Sequence, residues 1–295
     1  MNQARAAILR AQCFFAALAY PATRFELVSH AETEDCGVLV EDAELAIDTL
    51  VAEGVLVYAK GRYVFAGSDS LIAEHREREA LFPRKIHRAK AFARFLARLS
   101  GVKAAFVCNT LALAHASEES DIDFFIVCKK NTVWQTRFLA TLYLMLRHWR
   151  VEGAKRDPIC LTFFVDEQAL DLAPLAIEND VYLRHWFLFL LPLFDDGISE
   201  KLWQSNVVLR TYYPLASSWL PLGTMPVPRF RLPTVVWFEK WSRALSEWRF
   251  AAGIRARLNK GTDVIANDHV LKFHTDDRRA EYRNRYLTLC KTYDV

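Results

Sequence analysis

The sequence predicts an α+β chain: a mixed α/β core, preceded by a small helical module and followed by a helical region. Two patterns carry that assignment. Across residues 104–165 three apolar runs with strand character are separated by loops and one long helical pattern, as expected of a sheet with helices laid against it. On either side the apolar spacing becomes i, i+3, i+4, the period of helices that pack through one face. The 295 residues are 52% hydrophobic and 25% charged, which suffices to bury a full core and excludes disorder, collagen-like repeats and small disulfide scaffolds.

The elements follow in order. Residues 6–20 have helical spacing and stop at Pro21. A short helix around 25–31 comes next, then one over 41–53, where Ile47, Leu50 and Val51 share a face before Gly54. Residues 55–60 and 62–65 flank Gly61 as a hairpin. Three helices followed by a hairpin is the order of a winged helix, so residues 1–83 are expected to form a winged-helix-like module. Its third helix carries Glu41, Asp42, Glu44, Asp48 and Glu53 and no Lys or Arg. Phosphate repels such a surface, so packing or protein contact is expected of it and DNA reading is not. Residues 71–100 hold two helices divided at Pro83, and the second has no acid between Arg84 and Arg98, a face either solvated or turned towards an anion.

The expected core, 84–180, continues with a strand at 104–108, a loop and short helix to Ser120, a strand at 121–128, a helix at 134–150 and a strand at 159–165. Residues 181–295 are expected to be a helical C-terminal domain. It has a buried segment at 181–194, a connection studded with Pro214, Pro221, Pro226, Pro228 and Pro233, and a long Arg-rich helix at 238–258. Trp237, Trp241 and Trp248 fall at the spacing of a packing face on that helix.

The net charge of +3 conceals an asymmetry: the first sixty residues hold nine acids against four bases, so the remainder is strongly basic. Six cysteines at 13, 36, 108, 128, 160 and 290 form no CxxC pair, and three lie in strand-like runs, as buried thiols of a reducing cytosol would. The longest apolar stretch, 186–194, is broken by Pro192 and falls short of the roughly twenty residues needed to span a bilayer. Residues 11–20 read as a core helix and not as a secretion signal. The expectation is a cytoplasmic chain with no membrane partner.

The segment that carries chemistry runs from Cys108 to Val127. Side chains alternate along a strand, so Asp121 and Asp123 share a face at the start of an apolar strand. Adjacent carboxylates repel, and a hard divalent cation between them, typically Mg²⁺, relieves the repulsion while taking oxygens from a substrate's phosphates. Upstream, Asn109-Thr110 follows a strand and opens a short helix, where free backbone N–H groups and a hydroxyl make an anion cradle.

In these residues the sequence resembles the DNA polymerase β-like nucleotidyltransferase superfamily, whose pattern is an apolar strand, Gly-Ser, about ten residues, then Asp-x-Asp in a second strand. Ser120-Asp121-Ile122-Asp123 and the gap from Thr110 match it, over about residues 86–166. More narrowly, the layout is similar to bacterial nucleotidyltransferase-domain proteins with a preceding winged-helix-like segment and a helical tail.

The resemblance implies a nucleotidyltransferase-fold core, Asp121 and Asp123 as ligands of Mg²⁺ or Mn²⁺, and Asn109 and Thr110 in the Gly-Ser positions that grip the phosphates of an NTP, with Ser120 alongside. It implies metal-dependent transfer of an NMP to an acceptor hydroxyl of a small molecule, RNA or protein, with release of pyrophosphate. Two departures bear on activity. Asn stands for Gly at 109, and Asn is the side chain that best tolerates a left-handed backbone. The strand at 159–165 holds no acid, so the third carboxylate falls by default to Asp166. The alternative is a degenerate member that binds nucleotide or protein without catalysis.

Lys129 and Lys130 follow the aspartate strand and are candidates to neutralise triphosphate, as is Arg137. His115 is expected in the substrate-facing loop. His269 and His274 lack a zinc spacing and read as surface histidines.

Overall fold

The computed structural model describes residues 3–33, 37–151, 154, 156–219 and 224–295; Cys36 and Pro221 lie outside these. At the N-terminus α1 (Gln3–Ala17), α2 (Arg24–Ser29) and α3 (Val40–Ala52) close around Ile8, Phe15, Leu27, Ile47 and Leu50. Thr23 and Glu26 start α2 as a reciprocal capping box. β1 (Leu56–Ala59) and β2 (Arg62–Phe65) then pair antiparallel across Lys60-Gly61, both at positive φ (52° and 82°), which is the handedness a two-residue hairpin turn requires. Three helices and a hairpin thus occur in the expected order.

Two helices follow, α4 (Ser70–Glu79) and α5 (Phe82–Ala97), and Pro83 sits in the first turn of α5 where no N–H is needed. The core elements are β3 (Val102–Val107), α6 (Asn109–Ala112), β4 (Ile122–Cys128), α7 (Val133–Leu146) and β5 (Ile159–Asp166). A 3-10 turn (Ala173–Leu175) leads to α8 (Val181–Leu188), β6 (Leu191–Asp195), α9 (Ser199–Ser205), α10 (Val207–Arg210), α11 (Val236–Trp248), α12 (Ala252–Arg257), β7 (Val264–Ala266), β8 (Val270–Phe273) and α13 (Arg279–Thr292). The chain is therefore mixed α and β. Its six-stranded sheet runs β6-β3-β4-β5-β8-β7, and only β4 and β5 are parallel.

The sheet is covered on both faces. Phe92, Leu96, Trp134, Leu144 and Phe164 fill the layer under α5 and α7; Phe125, Phe163, Trp186, Phe187 and Leu202 fill the one under α8 and α9. Buried on both sides, β4 reads as the continuous apolar run Phe124 to Val127.

The C-terminal region differs from the all-helical expectation. Three of the six strands, β6, β7 and β8, come from residues 181–295, so this part completes the sheet and is not a helical domain of its own. Pro192 stops the apolar run from continuing as helix, and β6 is an edge strand, where a missing N–H is tolerated. Asn267-Asp268-His269 turns β7 into β8, with the Asn267 carboxamide accepting from the N–H of His269 and Val270. α13 returns to the N-terminal module, where Tyr286 and Cys290 join its apolar cluster.

The long helix expected at 238–258 is interrupted at Phe250-Ala251. The tryptophan packing face is corrected in part: Trp237 and Trp248 are 69% and 74% exposed, while Trp241 meets Phe138 of α7 beside Phe238, and Ser242 is buried. Among the described residues no helix is long and apolar enough to cross a membrane.

Candidate functional site

The site forms where β4 and β5 begin. Both strands run in the same direction, and their register sets Asp123 opposite Cys160. Asp121, Asp123 and Cys160 each offer a ligand-type atom, all within 4.8 Å of one another. They open into a cleft of ≈ 510 Å³ that also holds Asn109, Thr110 and Ser120. Five residues singled out in the sequence, 109, 110, 120, 121 and 123, are thus brought together.

Asn109 is at φ 57°, in the left-handed region. This is the conformation a Gly would take without strain and Asn best tolerates among the rest. Its side chain makes three bonds: Nδ2 donates to Asp123 Oδ2 at 2.8 Å, while Oδ1 accepts from Trp186 Nε1 at 3.0 Å and Tyr182 Oη at 3.3 Å. The carboxamide therefore fixes the Asp123 carboxylate relative to α8.

Burial, and next the charge of Asp121, push the Asp123 carboxyl up to about 7; the Asn109 amide and the Cys160 thiol pull against them. Burial likewise raises the thiols of Cys108 and Cys160. The two carboxylates suit a hard divalent cation, which would compensate their mutual repulsion, whereas the Cys160 thiol, kept protonated by burial, is a soft group such an ion does not favour.

The loop into Asp121 is anchored from below. Lys85, wholly buried on α5, donates from Nζ to Ser120 O at 2.7 Å and to Glu118 O at 3.3 Å and pairs with Asp157 at 3.0 Å. Arg84 adds two bonds of 2.8 Å to Asp157, and with Lys85 it holds that carboxyl below its usual range despite burial. The basic start of α5 is in this way spent on internal ion pairs.

Asp166 does not belong to the site. It lies opposite Cys128, at the far end of β5 from Cys160, about 17 Å along the strand from Asp123. Its buried carboxylate accepts from the N–H of Asn131 and Gln168 and meets His269 Nδ1 at 3.0 Å, which organises the turns at that end. Lys129 and Lys130, following the same end of β4, are equally remote, and Arg137 lies over the Phe273 ring.

His115 is buried against His75, Nδ1 to Nδ1 at 2.9 Å, with Arg78 on its Nε2 at 2.7 Å, so it joins α4 to the core and does not face a substrate. An arginine donates only, so Nε2 is the acceptor and Nδ1 carries the hydrogen that reaches His75. Both rings are neutral, pushed down by burial to about 3 and about 4.

The cleft also contains groups that the linear pattern did not mark. Cys160, Thr162 and Phe163 all line it, although strict alternation would turn Phe163 away from the other two. An extra residue of β5 between the pairs Asp123↔Cys160 and Phe125↔Phe163 breaks the alternation. Thr162 Oγ1 meets His274 Nε2 at 3.0 Å, so His274 is a cleft residue, not a surface one. Tyr182 and Trp186, one turn apart on α8, also line the cleft, with Lys272, Asp276, Asp277, Arg278, Arg279 and Tyr282 from the returning chain. Burial lowers Lys272 to about 8. The i, i+4 spacing of Tyr182 and Trp186 is a signal that could have marked them; Lys272, His274, Arg278 and Tyr282 depend on β8 and α13 folding back.

No protein-family model matches the chain, and no curated protein and no solved structure matches it either.

Proposed function

We propose that the chain is a metal-dependent nucleotidyltransferase, moving an NMP from an NTP to an acceptor hydroxyl with release of pyrophosphate. One observation carries the reading: two carboxylates, Asp121 and Asp123, side by side on one strand end, facing a cleft that contains a small polar pair, Asn109-Thr110, at the start of a helix. In such a transfer the acceptor oxygen bonds to the α-phosphorus as the bond to the pyrophosphate oxygen breaks, and positioning with charge neutralisation is most of what a protein must provide.

Mg²⁺ or Mn²⁺ held by Asp121 and Asp123 would supply that neutralisation. Asn109 keeps Asp123 oriented, as hydrogen bonds behind a ligating carboxylate do. The Thr110 hydroxyl is placed to donate to a phosphate oxygen, whereas the Ser120 hydroxyl is bonded to Ser117 and shapes the loop, and Tyr182, Trp186 and Phe163 offer apolar wall for the nucleoside.

A second reading, nucleotide binding without transfer, is favoured by one feature. Opposite Asp123 stands Cys160 and beyond it Thr162, so the cleft end of β5 offers no third carboxylate to take the acceptor's proton. The test is incubation with each α-labelled NTP, Mg²⁺ or Mn²⁺ and cell extract, comparing the native chain with Asp121→Asn/Asp123→Asn. Transfer reads as label incorporation and pyrophosphate that the variant loses. A metal-dependent rise in melting temperature with NTP but no pyrophosphate establishes the second reading. Equal behaviour of the two proteins removes both.

A further inference from the structure

At the opposite end of β4 from the cleft, the surface has a different character. Residues 229–237 cross there between the end of α5 and the start of α7. Leu232 exchanges backbone hydrogen bonds with Arg98 O and Ser100 N, Lys129 N donates to Gly101 O, and Val235 N donates to the Gln135 side chain. These contacts make one continuous surface of segments distant in sequence. On it Phe230, Val236 and Trp237 are 77%, 79% and 69% exposed, and Leu232 and Trp241 are nearly half exposed. A monomeric soluble surface rarely gathers so many large apolar side chains in one place.

Cations outnumber acids around this patch. Arg98, Lys129, Lys130, Arg229 and Lys240 are exposed at its margin. The acids within reach are committed elsewhere: Glu239 accepts from the N–H of Trp134 and Gln135, Asp196 is held by Lys103 and Arg231, and Asp268 by Arg243. Glu167 accepts from Lys130 N. Neither α5 nor α7 contains an acid.

We propose that this patch docks the protein peripherally on an anionic lipid bilayer. Tryptophan beside lysine and arginine around exposed aliphatic residues is the composition that seats at the headgroup level, with cations drawn to anionic lipid and apolar tips in the acyl boundary. The aliphatic members, Val236 and Leu232, distinguish this from a nucleic-acid surface, where phosphate contacts and base stacking would leave them without a role. The absence of a spanning stretch is no obstacle, because lying on a membrane and crossing it are different demands. Since the patch and the carboxylate pair occupy opposite ends of β4, a docked molecule holds its cleft open to solvent. The proposal is independent of the function assigned to that cleft.

The test is co-sedimentation of the full chain with phosphatidylcholine vesicles, with and without phosphatidylglycerol, at low salt. The expected result is pelleting with the anionic vesicles only. Lys129→Gln/Lys240→Gln lowers the partition coefficient about fivefold per cation removed, and Val236→Ser/Trp237→Ser lowers it at least tenfold. Both variants change exposed side chains, so an unchanged melting temperature certifies their fold. No partition, equal partition onto neutral vesicles, or variants that bind like the native chain overturns the proposal. So does retention of a single-stranded oligoribonucleotide, or dimerisation that the Val236/Trp237 variant abolishes, in place of vesicle binding.

Discussion

Lysine 85 offers the sharpest test of how the candidate site is held. Its ammonium is fully buried on α5, beneath the loop that enters Asp121, and makes three contacts: Ser120 O at 2.7 Å, Asp157 at 3.0 Å and Glu118 O at 3.3 Å. Lys85→Met keeps the volume and removes the charge. Breaking a buried pair costs about 3–5 kcal/mol, most of it from the partner left behind. Here Asp157 retains Arg84 through two bonds of 2.8 Å, which places the expected loss near the lower limit, about 3 kcal/mol.

Urea unfolding followed by circular dichroism measures that loss. Lys85→Met/Asp157→Asn, which removes the stranded charge as well, should recover part of it, and the coupling between the two positions follows from the double-mutant cycle. The pH dependence has a defined sign. The Asp157 carboxyl is held below its ordinary value of 3.8, so it stabilises the native state above that pH, and the contribution is lost as acid protonates it. A Lys85→Met protein within 1 kcal/mol of the native chain, on the scale of an ordinary surface substitution, would refute the account of the anchor.

Two further outcomes are expected. His30, His75 and His115 are buried and pushed down from 6.5 to about 3, about 4 and about 3, and His185 lies well below its ordinary value for the same reason. Their stabilisation is complete above pH 6.5 and erodes as pH falls and the unfolded chain takes up protons, by up to about 1.4 kcal/mol per pH unit for each ring. Melting temperatures recorded from pH 7 to pH 4 should therefore fall steeply, and a His75→Gln/His115→Gln protein with the same slope as the native chain would contradict this. At the cleft, Asn109→Gly and Asn109→Ala both lose the bond to Asp123, but only alanine must adopt φ 57° against its own Cβ. Alanine should be less stable than glycine there by about 1–2 kcal/mol, and equal urea midpoints would show that the backbone relaxes.

What the sequence could reveal was what lies close together along it. Asp121 and Asp123 are two apart, and period-two alternation suffices to put them on one side; Asn109-Thr110 is joined to them by a short excursion. Distance in sequence misled for Lys129 and Lys130, which are near Asp123 in the chain but separated from it by the length of a strand. Asp166 failed for the same reason, because β5 runs parallel to β4 and its last residue leaves the site as the strand rises. Thr162 and Phe163 face the cleft together only through an irregularity of register, which single-strand periodicity cannot express. Lys272, His274 and Arg278 arrive by long-range pairing of β8 with β5, where a four-residue strand carries little pattern of its own.

The placement of charge follows from the same geometry. A parallel pair at the centre of the sheet gives β4 two unlike ends. Its first residues meet the loop from β3 and the walls from α8 and α13, where Asp121 and Asp123 face the cleft. Its last residue hands the chain to Lys129 and Lys130, beside Arg98 and the exposed 229–237 segment. The +3 of the whole chain, an acidic N-terminal module offset by a basic remainder, says nothing of this second separation, which only the sheet reveals. The proposed cation at the carboxylate pair and the proposed lipid contact at the rim are therefore separable. Neutralising the cations at 129 and 240 should leave behaviour at the cleft intact, and substituting 121 and 123 should leave the rim intact.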